Sequence, residues 1–313
     1  MRDRRVDALL LGVAVVWGSS YLAAKLLVDV AGVLPVLTLR YAGAALALGL
    51  VVLLTRARVG REELRWGLVL GLSQAAILLL ETFGIAGTSA TNAGLLISTT
   101  ILLTPAVEGF VARSWLPPAF FAASLVAVVG VVLLVGGGGW RVPTGGDLLV
   151  LAAALVRAAH VTAIGRVTRR VSLDLRGLTF VQMVVGALVG LVLAPGATLA
   201  AVGAATPAQW GGIAYLALGC SVFAFVAQSW AVRRTSAARA SLLLGTEPLW
   251  AVVFGLLLAG DALGVAGAVG AVLLLGATLA GQRIETRFSA RVPALRADPA
   301  VSAGGARPTS DRV

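Results

Sequence analysis

The chain has 313 residues, of which 59% are hydrophobic and 12% charged, where a soluble protein carries about 25% charged residues. That excludes an ordinary water-soluble fold and indicates a membrane protein. The formal charge of +11 does not mark a nucleic-acid partner, because it is distributed by topology. Arginines crowd the N-terminal tail, positions 56–65, 113, 166–176, 233–239 and 283 onward, while only Arg141 falls in a loop on the opposite side. This is the positive-inside pattern with both termini cytoplasmic, in a bacterial-type cytoplasmic membrane.

A helix needs about 20 mostly apolar residues to span a bilayer. The candidate spans, in chain order, are 8–27, 34–54, 66–85, 90–111, 117–136, 147–166, 176–195, 209–230, 238–258 and 263–281. The start, MRDRRVD before an apolar run, has the look of a signal peptide, but this segment has a counterpart in the second half and is read as the first span. Trp17, Ser20 and Tyr21 in span 1 share one helix face. Arg40 lies near the outer end of span 2, and Gln74 and Glu81 share a stripe of span 3. In span 6, Arg157 and His160 lie three residues apart, on one face. Gln228 is in span 8, and Glu247-Pro248 in span 9. Spans 5 and 10 are uncharged packing or dimer helices, and Gly67-x-x-x-Gly71 and Gly186-x-x-x-Gly190 are small-residue packing faces. Cys220, the single cysteine, permits no intramolecular disulfide.

Two stretches are twins. GTSATNAGLLISTTILLTPAVEGF, from Gly87, aligns with RTSAARASLLLGTEPLWAVVFGLLLAG, from Arg234, with Thr88 on Thr235, Leu96 on Leu243 and Thr99 on Thr246. At the same offset Gln74 falls on Ser221, but Trp66-Gly67 prefers Trp210-Gly211, so a small gap separates the two registers. The expected fold is therefore an all-α integral membrane protein of ten transmembrane helices, arranged as two repeats around a central cavity. Five spans per half make the second repeat enter from the opposite side, so the repeats are inverted, a common design of secondary transporters. The expected divisions are 1–140, 141–284 and a disordered cytoplasmic tail over 285–313, rich in Ala, Arg, Pro and Ser.

A charge at a helix centre costs roughly 2.5–3.5 kcal/mol on insertion scales, so the six in the spans should face protein or water. Arg157 is the candidate for an anionic substrate group or, structurally, a partner of Glu247. His160 is a candidate proton relay or a hydrogen-bonded core histidine. Lys25, Arg40 and Glu81, all in the outer third, read as an outer gate or ion pair, with snorkelling of the basic chains open to them. Trp17, Ser20, Tyr21, Gln74 and Gln228 would line the cavity with Arg157, His160 and Glu247. HExxH, CxxC, P-loop and GxSxG signatures are absent from the sequence, so neither an enzyme nor a cofactor or metal is expected.

WGSSYLAAK, LPVLTLRYAGAALALG, TSATNAGLLIS, GDLLVLAAALVRAAHV and SLLLGTEPLWAVVFGLLLAGDAL together resemble the EamA-type members of the drug/metabolite transporter superfamily, over about residues 8–282. The resemblance implies a ten-helix transporter with cytoplasmic termini, a cavity between the halves and export of amino acids or other small metabolites. It departs from the family at Arg157, where members usually carry an aromatic residue, and at Asp261, where Glu is usual. The expected partners are a small-molecule substrate, the lipid bilayer and protons as coupling ion, with a homodimer as candidate assembly. Efflux of drugs or lipophilic cations, and lipid scrambling or flipping, are the alternatives.

Overall fold

The computed structural model describes residues 4–86, 96, 97, 99–135, 144–259 and 264–291. These residues are almost wholly helical. In the first half, α1 is Arg4–Ala31, α2 Val33–Thr55, α3 Arg61–Ala86, α4 Thr100–Ala112 and α5 Pro118–Val135. In the second, α6 is Gly145–Arg170, α7 Leu175–Leu193, α8 Pro195–Ala204 and α9 Pro207–Arg234. There follow α10, Ala237–Leu244, α11, Glu247–Phe254, and α12, Val265–Arg291. Among the described residues, six helices are long and apolar enough to cross a membrane: α2, α3, α6, α7, α9 and α12.

Local chemistry sets the helix starts. Thr144 and Asp147 form a capping box at α6, and Thr206 with Gln209 form one at α9, where Pro207 occupies the first turn. Glu63 reaches back to the Gly60 N–H (2.9 Å) at the head of α3 and also accepts the Asp174 N–H (3.1 Å), tying α3 to the start of α7.

Helix pairing is set by the small residues. A Cβ on Gly67 would lie 2.6 Å from Val181, and one on Gly71 3.0 Å from the Cα of Gln182, so α3 and α7 touch nearly backbone to backbone. Gly186 and Gly190 bring α7 equally close to Tyr41 and Thr38 of α2. Both small-residue motifs thus lie at close crossings. Gly130 of α5 does the same against the Leu274 N–H of α12 (2.6 Å), pairing the two plainest helices.

Four features differ from the sequence reading. The stretch between spans 7 and 8 forms a further short helix, α8, started by Pro195. The middle turn of α9, Leu218–Phe223, is π-helical. It lies where the two registers of the repeat alignment disagree, between Gly211 and Ser221, so the gap is accommodated as a bulge rather than a loop. Span 9 is not one kinked helix but two, because the chain turns at Gly245–Thr246. Finally, the expected tail begins too early. α12 continues through Arg291 and buries Glu285 against the bundle; residues 292–313 lie outside the described residues.

Candidate functional site

Two helix breaks frame the site. Pro248 has no N–H to continue α10, and Thr246 terminates it: its N–H (3.2 Å) and hydroxyl (2.7 Å) both donate to Leu243 O, while its own carbonyl accepts from Leu249 (3.0 Å) to begin α11. In the first half, Thr99 makes the same three bonds. Its N–H (3.2 Å) and hydroxyl (2.6 Å) donate to Leu96 O, and its carbonyl accepts from Leu102 (2.9 Å). The two threonines that align in the twin sequences therefore make matching breaks.

Between the breaks lies a cavity of about 30 Å³, room for one or two waters. Four of the residues named from the sequence, Trp17, Arg157, Gln228 and Glu247, lie along it together with Thr100, Thr104 and Ser241, which the sequence analysis did not name. The repeat alignment held the missing signal, because it places Thr100 on Glu247.

Arg157 is the electrostatic centre. One guanidinium nitrogen lies 2.6 Å from Glu81 of α3, and the other 3.7 Å from Glu247 at the first position of α11. The guanidinium carbon is 5.9 Å from the Trp17 ring centroid. Pairing with two carboxylates makes so deep a charge tolerable. It also links the halves, since Glu81 belongs to the first and Glu247 to the second. The acidic residue in the first turn of α11 is further favoured by the helix dipole.

Trp17 is itself oriented by the π turn. The N–H of Ala224, which would bond Cys220 O in an unbroken α-helix, donates to Gly219 O and Ser221 O instead. Cys220 O accepts from Trp17 Nε1 (3.0 Å) and from Arg40 Nη2 (3.1 Å). Arg40 also donates to the Ser221 hydroxyl (2.8 Å). Its bonds thus run to a hydroxyl and a carbonyl inside the bundle, rather than to a carboxylate of an outer gate. Glu81, its expected companion, bonds Arg157.

The remaining candidates are dispersed. His160 is buried, with Nδ1 2.7 Å from Ser73 Oγ and Nε2 without a hydrogen-bond partner among the described residues, and it is not among the cavity-lining residues. Gln74 is buried beside Tyr41, whose hydroxyl donates to its main-chain carbonyl (3.3 Å). The Ser20 hydroxyl bonds Trp17 O on its own helix. Tyr21 and Lys25 belong to α1, but their side chains lie outside the described residues.

The arginine-rich end is stitched together. Arg239 of α10 grips Asp7 of α1 through Nε (2.9 Å) and Nη2 (2.5 Å), and donates to Thr286 of α12 (2.9 Å). Glu108 of α4 accepts the N–H groups of Ala237 (3.2 Å) and Ala238 (2.7 Å), satisfying unpaired donors at the start of α10.

The profile of the EamA-like transporter family matches residues 4–136 and 144–280, nearly the whole chain in two copies. The chain belongs to the EamA-like transporter family. It is thereby a multi-pass membrane protein of the drug/metabolite transporter superfamily, whose two EamA repeats carry α1–α5 and α6–α12. A solved structure described only as the crystal structure of a protein has a TM-score of 0.73 to this EamA protein, at 18% identity, covering 92% of this chain and 99% of its own. At that identity the likeness establishes the fold alone. No curated protein sequence matches the chain.

Proposed function

We propose that this EamA protein is a secondary active transporter that exports amino-acid-like or other small metabolites by alternating access. In this reading ten helices cross the cytoplasmic membrane as two inverted five-helix repeats, with both termini in the cytoplasm. The observation that carries the proposal is Arg157, held between carboxylates of the two halves at the wall of a cavity framed by two matching helix breaks. Broken helices facing a site at the repeat interface are a recurring transporter design.

The chemistry follows from competition. A substrate carboxylate can take the guanidinium bidentately by displacing the more distant partner, Glu247. Glu247, paired with Arg157 in one state and displaced from it in the other, is the carboxylate we assign to exchange any coupled proton. Trp17 supplies an apolar wall, and Gln228, Thr100 and Ser241 supply hydrogen bonds. A cavity with room for one or two waters must widen to admit a metabolite, so binding and movement of the broken helices go together.

The test is a thermal-shift screen of the purified protein against amino acids, organic anions, sugars and lipophilic cations. A carboxylate-bearing metabolite should raise the apparent Tm, and Arg157→Gln should abolish that rise. Stabilisation by lipophilic cations alone would transfer the reading to drug efflux, with Glu81 and Glu247 as the recognising groups. The lipid-handling alternative rests on Arg40 and Lys25 near the outer headgroup level; of the two, Arg40 bonds Ser221 and Cys220 O within the bundle.

A further inference from the structure

A pocket larger than the one at Arg157 lies elsewhere in the molecule. It has a volume of about 520 Å³ and lies at the arginine-rich end, where α2, α6 and α9 finish and α3 and α7 begin. Arg58 enters it from the α2–α3 loop, Asp174 and Arg176 from the head of α7, and Val226, Trp230 and Arg233 from the last turns of α9. Three guanidinium groups from three separate segments thus face a single carboxylate.

That carboxylate is already committed. Asp174 caps α7 through the Arg176 N–H (3.0 Å), accepts the Arg58 N–H (3.2 Å), and holds the Arg176 guanidinium through both oxygens (3.1 and 3.0 Å). The positive charge of Arg58 and Arg233 is left over. Among the described residues, Arg233 makes one long bond, 3.5 Å to Leu173 O, and the exposed Arg58 side chain takes no carboxylate.

The frame around these arginines is stiff. Gly177 lets α7 approach the α2–α3 loop so closely that a Cβ there would lie 2.1 Å from Arg58 O. Arg234 stacks over Trp230 at 3.9 Å and fixes that ring as one wall. The surroundings are apolar: Leu53 and Leu54 on the last turn of α2 are each 76% exposed. Cationic groups and a tryptophan at the ends of apolar helices lie at the depth of lipid headgroups.

We propose that this pocket binds a phosphate-bearing anion, the chemistry presented by an anionic lipid headgroup or by a free phosphoester. Arg58 and Arg233 supply the charge, and Trp230 and Val226 the apolar flank along which a glycerol backbone or acyl chain would lie. Bound there, the anion bridges the α2–α3 loop of the first repeat to α7 and α9 of the second.

The experiment is a thermal-shift titration of the full chain in neutral-detergent micelles. Phosphatidylglycerol, phosphatidylcholine and soluble glycerol phosphate are added in separate arms. Phosphatidylglycerol is expected to raise the apparent Tm and phosphatidylcholine to leave it unchanged. Each arginine near an anionic surface contributes roughly fivefold in binding, so R58Q/R233Q should need about 25-fold more phosphatidylglycerol for the same shift. R283Q/R287Q removes equal charge from exposed positions of α12 and should titrate like the wild type. Should the double variant fail to fold, Arg58→Gln alone carries the test with about a fivefold effect. An equal response to glycerol phosphate would support the phosphate site and name a free phosphoester as its occupant. An unchanged titration in the Arg58 and Arg233 variants, an equal loss in R283Q/R287Q, or an equal response to phosphatidylcholine would overturn the proposal.

Discussion

The breaks at Thr99 and Thr246 are built from the same three hydrogen bonds, matching within 0.1 Å, yet the residues that follow them differ. Thr100 follows the first and Glu247 the second, and only the second contributes to the Arg157 ion pair. The scaffold is repeated and the charge is not. In the proposed transport cycle, two halves that exchange roles need matching joints, whereas a coupled carboxylate is needed once. The largest test of this asymmetry is Arg157→Gln, which leaves two carboxylates facing each other in a largely buried site. Removing one partner of a buried pair costs about 3–5 kcal/mol, so apparent stability should fall and transport in proteoliposomes should drop to background. Arg157→Lys keeps the charge but loses the planar fork, and should restore stability more fully than transport.

Next in size is the exchange of the two residues that differ. Glu247→Gln should make transport indifferent to an imposed pH gradient and slow it by about tenfold, the order of one charge-assisted hydrogen bond. Thr100→Val, at the matching place in the first half, should keep the pH response and change the rate by less than about threefold. If Thr100→Val removes the response as fully as Glu247→Gln does, the charge asymmetry has no functional meaning. The joints themselves should respond alike. Thr99→Val and Thr246→Val each remove one hydroxyl bond, worth about 0.6 kcal/mol in a membrane setting, and should lower detergent unfolding midpoints by similar amounts.

The repeat also explains what the sequence could and could not reveal. Apolar length located the helices, and small-residue spacing located the crossings at Gly67, Gly71, Gly186 and Gly190, because both depend on residue type at fixed intervals. The break at Thr246 lies inside what the sequence presents as one span, 238–258, because proline marks an interruption without giving its extent. The π turn at Leu218–Phe223 was visible only as a gap between two alignment registers. Glu81 forms an ion pair, but with a partner the sequence did not indicate. Its height in the span suggested Arg40 or Lys25 as partner, but helix α6 brings the long Arg157 side chain to it. Which of several intramembrane charges pair is set by how helices are rotated against each other, and rotation leaves little trace in composition.

The two halves differ once more, where their first helix hands over to their second, and here the expected effects are smallest. In the first half Gly32 makes the turn with φ 79 and no side-chain cap. In the second, Asp174 caps α7 by accepting from Arg176. Gly32→Ala should cost about 1 kcal/mol at every pH, because an L-residue is strained in that conformation. Asp174 should behave otherwise. Partial burial opposes its charge, but the hydrogen bonds from Arg176 and the Arg58 N–H prevail and hold the carboxyl below its usual range. A carboxyl depressed on folding stabilises the folded state above its unfolded pKa, near 3.9, and that contribution is lost as pH falls through the lower folded value. Asp174→Asn, itself a good capping residue, should therefore cost less than about 1 kcal/mol at neutral pH. The difference from wild type should shrink as pH drops below about 4, in thermal melts recorded at pH 7 and pH 3. A constant difference across that range would mean that the cap acts through its hydrogen bond to the helix and owes nothing to its charge.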